Sequence, residues 1–218
     1  MKKIILSSLL FSLSASVSYA ACDTRNLVAE LQQNDPATYE ELKAEAAQYA
    51  NPEGVFWEVY HEDMDFKSYV FGTLHKADPR VLDLPANVQA ALESADVVAV
   101  EIESADDPSA VGAVIGKSPQ LILQPQGESL ADAVLQTMNE LYLKEQIGMI
   151  IPVQLHYTSQ YEGRDDDWAE FQEALLDARN ELMVENAGQL MDKQSTFVAV
   201  GALHLIGDTG LIEGLRNY

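Results

Sequence analysis

Four stretches of the chain are apolar for long enough to be strands, and the segments between them carry a helical rhythm. Asn26 to Tyr49 sets Leu27, Leu31, Tyr39, Leu42 and Ala46 at roughly helical spacing, which predicts one or two helices broken near Asp35-Pro36. Gly54 to Tyr60 (GVFWEVY) and Lys67 to Phe71 (KSYVF) flank the turn-forming HEDMD, which predicts a hairpin. Leu84 to Ser94 predicts a helix, with Pro85 in its first turn and Val88, Ala91 and Leu92 on one face. Val97 to Val100, inside DVVAVEIE, is an unbroken apolar run ending at Glu101, and such continuity suits a strand covered on both faces.

Ser129 to about Gln146 predicts a second long helix, with Ser129-x-x-Asp132 resembling a capping box. Asp166 and Asp167 can cap a third, Trp168 to Met191, whose stripe is Phe171, Leu175, Leu182 and Leu190. Thr196 to Val200 predicts another buried strand, and Asp208 or Thr209 caps a last short helix through Leu215. Strands interleaved with helices make the expected fold class α/β, or alternatively α+β, with a mixed sheet flanked by helices.

The first twenty residues alter the domain count. Lys2 and Lys3 precede the apolar, serine-rich Ile4 to Val17, and Ser18-Tyr19-Ala20 offers a cleavage site. The expectation is a signal peptide over residues 1–20, a single domain over 21–218, and a periplasmic or secreted location. The formal net charge of −22 excludes nucleic acid as a natural partner, because phosphate binding needs clustered Lys and Arg. It also disfavours anionic lipid. Cys22 is the single cysteine, so no intrachain disulfide forms. Ala20-Ala21-Cys22 resembles the end of a lipobox, though Tyr19 stands where an aliphatic residue is usual, so a membrane partner is expected only if Cys22 is lipidated.

The chemistry gathers at strand ends. FGTLH places His75 three residues after Gly72, and VGALH places His204 three after Gly201, in a chain with four histidines. Glu101 closes the third apolar run. In open α/β sheets ligands collect beyond the carboxyl ends of strands. Two imidazoles and a carboxylate there suit Zn²⁺, Mn²⁺, Fe²⁺ or Co²⁺ with positions left open for water or substrate. Gly72 and Gly201 would let the backbone turn sharply and approach a ligand. Taken singly, each histidine is more simply a turn or core residue and Glu101 a solvated strand end; the repeated setting is what favours a site. His61 and His156 read as surface residues. Arg179-Asn180, in DARNELMVEN, reads first as a solvated helix face, with a substrate carboxylate or an oxyanion as the functional alternative. Asp208-Thr209-Gly210 reads as a helix cap before an anion site. No Gly-x-Ser-x-Gly segment supports a serine hydrolase.

With these features the chain resembles the TraB/GumN family, relatives of the Tiki metalloproteases. The resemblance runs from SYVFGTLHKADPRVLDLPANVQAALESADVVAVEIE to ARNELMVENAGQLMDKQSTFVAVGALHLIGDTGLIEGLR, and the opening ACDTRNLVAELQQNDPATYEELKAEA…GVFWEVY is similar to the exported bacterial branch. It implies an erythromycin-esterase/ChaN-like fold and a metal-dependent hydrolase of peptide or small ester substrates. His75 and His204 match the paired histidines, Glu101 the strand-end glutamate, and Arg179 and Asn180 the Arg-Asn pair. Mn²⁺ or Co²⁺ is implied as the cofactor, with Zn²⁺ possible on ligand chemistry. Metal-activated water would attack a carbonyl, Glu101 serving as ligand or general base and Arg179 stabilising negative charge. The family carries a longer middle than Gln136 to Ile151 and continues past Asn217-Tyr218 through Gly-Tyr-x-Val into a last strand. A partly missing core and a shallow, open groove are therefore expected. The alternative function is a catalytically impaired homologue acting as a binding or regulatory domain. A periplasmic solute-binding protein is a third.

Overall fold

The computed structural model describes residues 25–60, 63–75, 78–101, 128–158 and 176–218. The break expected at Asp35-Pro36 separates α1 (Leu27–Asn34) from α2 (Pro36–Ala46). Asn26 Oδ1 accepts the amide of Ala29 at 3.1 Å and Asp35 Oδ1 that of Thr38 at 3.2 Å, so each helix starts on a side-chain cap. Leu27, Leu31, Leu42 and Ala46 turn inward as their spacing predicts. The start of α1 is pinned from a distance: the fully buried Thr137 hydroxyl accepts the Leu27 amide at 2.8 Å and donates to Ala133 O at 2.7 Å.

β1 (Phe56–Tyr60) and β2 (Lys67–Thr73) form the expected hairpin, with Phe56 opposite Phe71 and Tyr60 opposite Lys67. β3 (Val97–Val100) and β4 (Thr196–Gly201) are both parallel members of the same sheet, whose order is β1-β2-β4-β3. The last strand in sequence therefore lies between two earlier ones. Its Phe197, Val198 and Val200 are buried, and Phe197 joins Tyr69 and Phe71 in an aromatic group at the centre of the core. Helices and a mixed sheet give the α/β class.

The expectation that Val97–Val100 is covered on both faces is overturned. β3 pairs with β4 alone among the described residues, and Val98 and Val100 on one face are 52% and 62% exposed. Apolar residues in succession mark a strand, but they do not place it at the centre of a sheet.

Between β2 and β3 lie α3 (Pro79–Leu82) and α4 (Ala86–Ser94). Pro85 is the residue before α4, not part of its first turn, and Val88 and Ala91 are its buried positions. α5 (Glu128–Leu143) stops three residues short of Gln146, and a 3₁₀ turn (Ile147–Met149) leads into α6 (Ile150–Thr158). α7 (Ala178–Met191) corrects the predicted stripe. Leu182 is 59% exposed, while Asn180, Ala187, Gly188 and Met191 are buried. Once Asn180 faces inward, Leu182 falls about 200° around the helix at roughly 100° per residue, on the solvent side. α8 (Leu211–Arg216) starts from Gly210 with no side-chain cap, because the Thr209 hydroxyl instead donates to Asp177 Oδ1 at 2.7 Å.

Among the described residues no helix is long and apolar enough to cross a membrane. The expectations placed on residues 1–20, Cys22, His61, Asp166 and Asp167, on Phe171 and Leu175, and on the Ser129/Asp132 cap lie outside what is described. So does much of the middle in which a shortened core was expected.

Candidate functional site

The parallel strands β2, β3 and β4 all end on one side of the sheet. Glu101 immediately follows β3, and its amide still donates to Ala199 O at 3.2 Å, so the ladder itself fixes the root of its side chain. Oε2 accepts the Gly201 amide at 2.8 Å, which joins the end of β3 to the end of β4. A Cβ on Gly201 would stand 3.2 Å from that same oxygen, so the glycine is there for close approach; its φ of −55° needs no special freedom. Gly72 has a different purpose from the expected turn: a Cβ there would lie 2.7 Å from Leu205 Cδ1 and 3.0 Å from Ala202 Cα.

β4 runs into a 3₁₀ turn, Ala202–His204, that carries His204 back under the strand ends, where it is 4% exposed. Its Nδ1 lies 2.7 Å from Asn180 Oδ1, and Asn180 is 2% exposed. An amide oxygen accepts, so Nδ1 is the donor in this pair and the ring presents Nε2 to the strand ends. Nε2 lies 3.4 Å from Glu101 Oε1, and Arg179 Nη2 donates to that same oxygen at 2.6 Å. Two successive residues of α7 thus reach two members of one cluster, Arg179 holding the carboxylate and Asn180 the imidazole. The hydrogen bond from His204, then the Gly201 amide and the charges of His204 and Arg179, hold the Glu101 carboxyl down to about 2 against the opposing effect of burial.

Sequence reasoning named Glu101, Arg179, Asn180, Gly201 and His204, and the structure links these five into one chain of contacts through Glu101 and His204. His75 is apart from them. It lies two residues beyond the end of β2, whose Thr73 is in register with Gly201 of β4, and it is exposed. Among the described residues no group of three or more His, Cys, Asp or Glu side chains is placed to hold a metal ion. His156 is exposed on α6, as expected.

The Glu101–His204 pair has the donor types and the spacing of two ligands on one cation. Two ligand atoms about 2.1 Å from a tetrahedral cation are about 3.4 Å apart, and Nε2 and Oε1 have that separation. The guanidinium of Arg179 is the opposing element, since it already neutralises Oε1. A groove of about 860 Å³ lies elsewhere, between β1, α7 and α8 and lined by Trp57, Met191, Ile212 and Tyr218.

Two contributors escaped the sequence reading. Tyr142 on α5 donates its buried hydroxyl to Gly72 O at 2.8 Å, and Arg80 ties Asp78 to Glu140. An isolated tyrosine in a helix gives no signal of such a role, whereas Asp78-Pro79-Arg80 beside a candidate ligand could have prompted a search for a carboxylate partner. A family model described as the TraB/PrgY/gumN family matches residues 55–135 and 126–218. No curated protein and no solved structure gives a significant match.

Proposed function

The chain belongs to the TraB/PrgY/gumN family, and on that premise we propose that it is an exported, metal-dependent hydrolase of peptide or ester bonds centred on Glu101 and His204. The observation that carries this reading is the 3.4 Å between His204 Nε2 and Glu101 Oε1, with the other ring nitrogen already held by Asn180. A divalent cation, Mn²⁺ or Co²⁺ by family and Zn²⁺ by ligand chemistry, supplies carbonyl polarisation and a lowered pKa for water when bound. Glu101 is suited to the role of ligand over that of general base, because its Oε1 stands 3.4 Å from His204 Nε2 and its Oε2 is taken by the Gly201 amide. Asn180 fixes the ring so that Nε2 faces the carboxylate. Arg179 spends one nitrogen on Glu101, and the rest of its fork can meet negative charge growing on a substrate oxygen. His75, leaving the neighbouring strand, supplies the second imidazole.

One observation favours a second reading. The 2.6 Å ion pair between Arg179 and Glu101 occupies the carboxylate as a structural pair would, which suits a homologue that binds or regulates without turnover. Titration of purified protein with Mn²⁺, Co²⁺ and Zn²⁺ tests the first reading, comparing wild type with His75→Ala and His204→Ala. Binding that weakens in both variants supports it; equal, negligible binding in all three refutes it. Where metal binds, turnover of peptide and ester substrates that Glu101→Ala abolishes identifies an enzyme, and no turnover by wild type identifies the binding homologue.

A further inference from the structure

His75 lies outside any strand or helix, three residues after Gly72 and three before Asp78, and both flanks are fastened to α5. Upstream, Tyr142, 6% exposed, donates its hydroxyl to Gly72 O at 2.8 Å. Burial pushes this phenol up to about 12, so it remains a donor throughout the working range. Downstream, Arg80 grips Asp78 side-on, Nε to Oδ1 at 3.1 Å and Nη2 to Oδ2 at 2.7 Å, and its Nη1 donates to Glu140 Oε1 at 2.6 Å. Gln136 Nε2 donates to the same Glu140 oxygen at 3.1 Å, and Asn139 Nδ2 approaches Asp78 Oδ2 at 3.4 Å. A bidentate arginine inside a network holds its geometry far better than an isolated surface pair. Gln136, Asn139 and Glu140 share one face of α5, so one rigid helix meets the chain on both sides of His75.

We propose that α5 sets the position of His75 through these two fastenings, and that Tyr142 and Arg80 are positioning residues for the metal site; this rests on the metal reading above. Neither residue touches the Glu101–His204 cluster, and the His75→Ala background separates an effect exerted through His75 from one passed from Gly72 to β4 and Ala202. The test uses Tyr142→Phe and Arg80→Met, each with and without His75→Ala, in Mn²⁺ titrations and in hydrogen exchange at the amides of Leu74 and His75. The expected result is about tenfold weaker Mn²⁺ binding, the usual scale for groups that orient ligands. The loss should vanish in the His75→Ala background and be accompanied by faster exchange at Leu74 and His75 with Val70 unchanged. Unchanged affinity, or an equal loss without His75, overturns the proposal. Wild type that binds no Mn²⁺ overturns the metal reading and the link to affinity with it. The exchange data then decide the anchoring alone, and unaltered protection at Leu74 and His75 overturns that as well.

Discussion

Replacing Asn180 with alanine removes the acceptor 2.7 Å from His204 Nδ1. Asn180 and His204 are 2% and 4% exposed, so bulk water does not stand in for the lost oxygen. A buried donor left without a partner costs about 1–3 kcal/mol. The vacated amide, about 40 Å³, adds up to about 1 kcal/mol at roughly 24 cal/mol per Å³ if the site does not collapse. The expected destabilisation is about 2–3 kcal/mol, which for a domain of this size lowers the melting temperature by about 4–12 °C. Urea unfolding followed by circular dichroism, with calorimetry for the midpoint, measures both. Asn180→Asp is the informative partner, because it keeps an oxygen in place and should retain more than half of the lost stability. An Asn180→Ala protein within about 0.5 kcal/mol of wild type would refute the buried bond, since surface substitutions give changes of that size.

Two further outcomes follow from the same cluster. Glu101 has a folded-state pKa of about 2 against an ordinary 4.5, so its stabilisation is complete above pH 4.5 and is lost as pH falls toward 2. The urea midpoint of wild type should therefore exceed that of Glu101→Gln at pH 6, and the gap should narrow below pH 4.5 and nearly close at about pH 2; a gap that stays constant over that range would exclude the linkage. Gly72→Ala should cost about 1–3 kcal/mol by overpacking against the Ala202 backbone and Leu205, with little effect on Glu101. Gly201→Ala presses instead on the Glu101 carboxylate and should weaken metal binding more than it lowers the unfolding midpoint, so the reverse ranking of the two variants in either assay counts against the packing described.

Local pattern carried the hairpin, the capped break at Asp35-Pro36 and the β4 segment, because each depends on neighbours a few residues away. It also carried most of the cluster. A glycine that must admit a carboxylate, a histidine just past it and an acidic strand end are short-range signs of one crowded corner. The order of the strands was not legible, since nothing in an apolar run says which neighbour it will take. Nor does it say what covers each face: β3 read as covered on both, although its Val98 and Val100 are exposed. Leu182 misled in a related way: hydrophobicity proposed one face of α7, and the pull of Asn180 toward His204 selected another. Thr209 looked like a cap but found Asp177, and Tyr142 found a backbone oxygen 70 residues away. Such partners are settled by tertiary placement, which leaves no mark in local composition.

The insertion of β4 between β2 and β3 also governs how the molecule comes into being. Thr196 meets the Ser68 hydroxyl across 128 residues, and the Gly201 amide meets Glu101 across 100. Until the ribosome has released Thr196 to Gly201, β2 and β3 cannot be joined as they are here, and the carboxylate has no amide to receive. Pairings that close such long loops late are slow to form. The same residues that complete the described sheet bring the Gly201 amide to Glu101, so sheet and cluster depend on one late pairing.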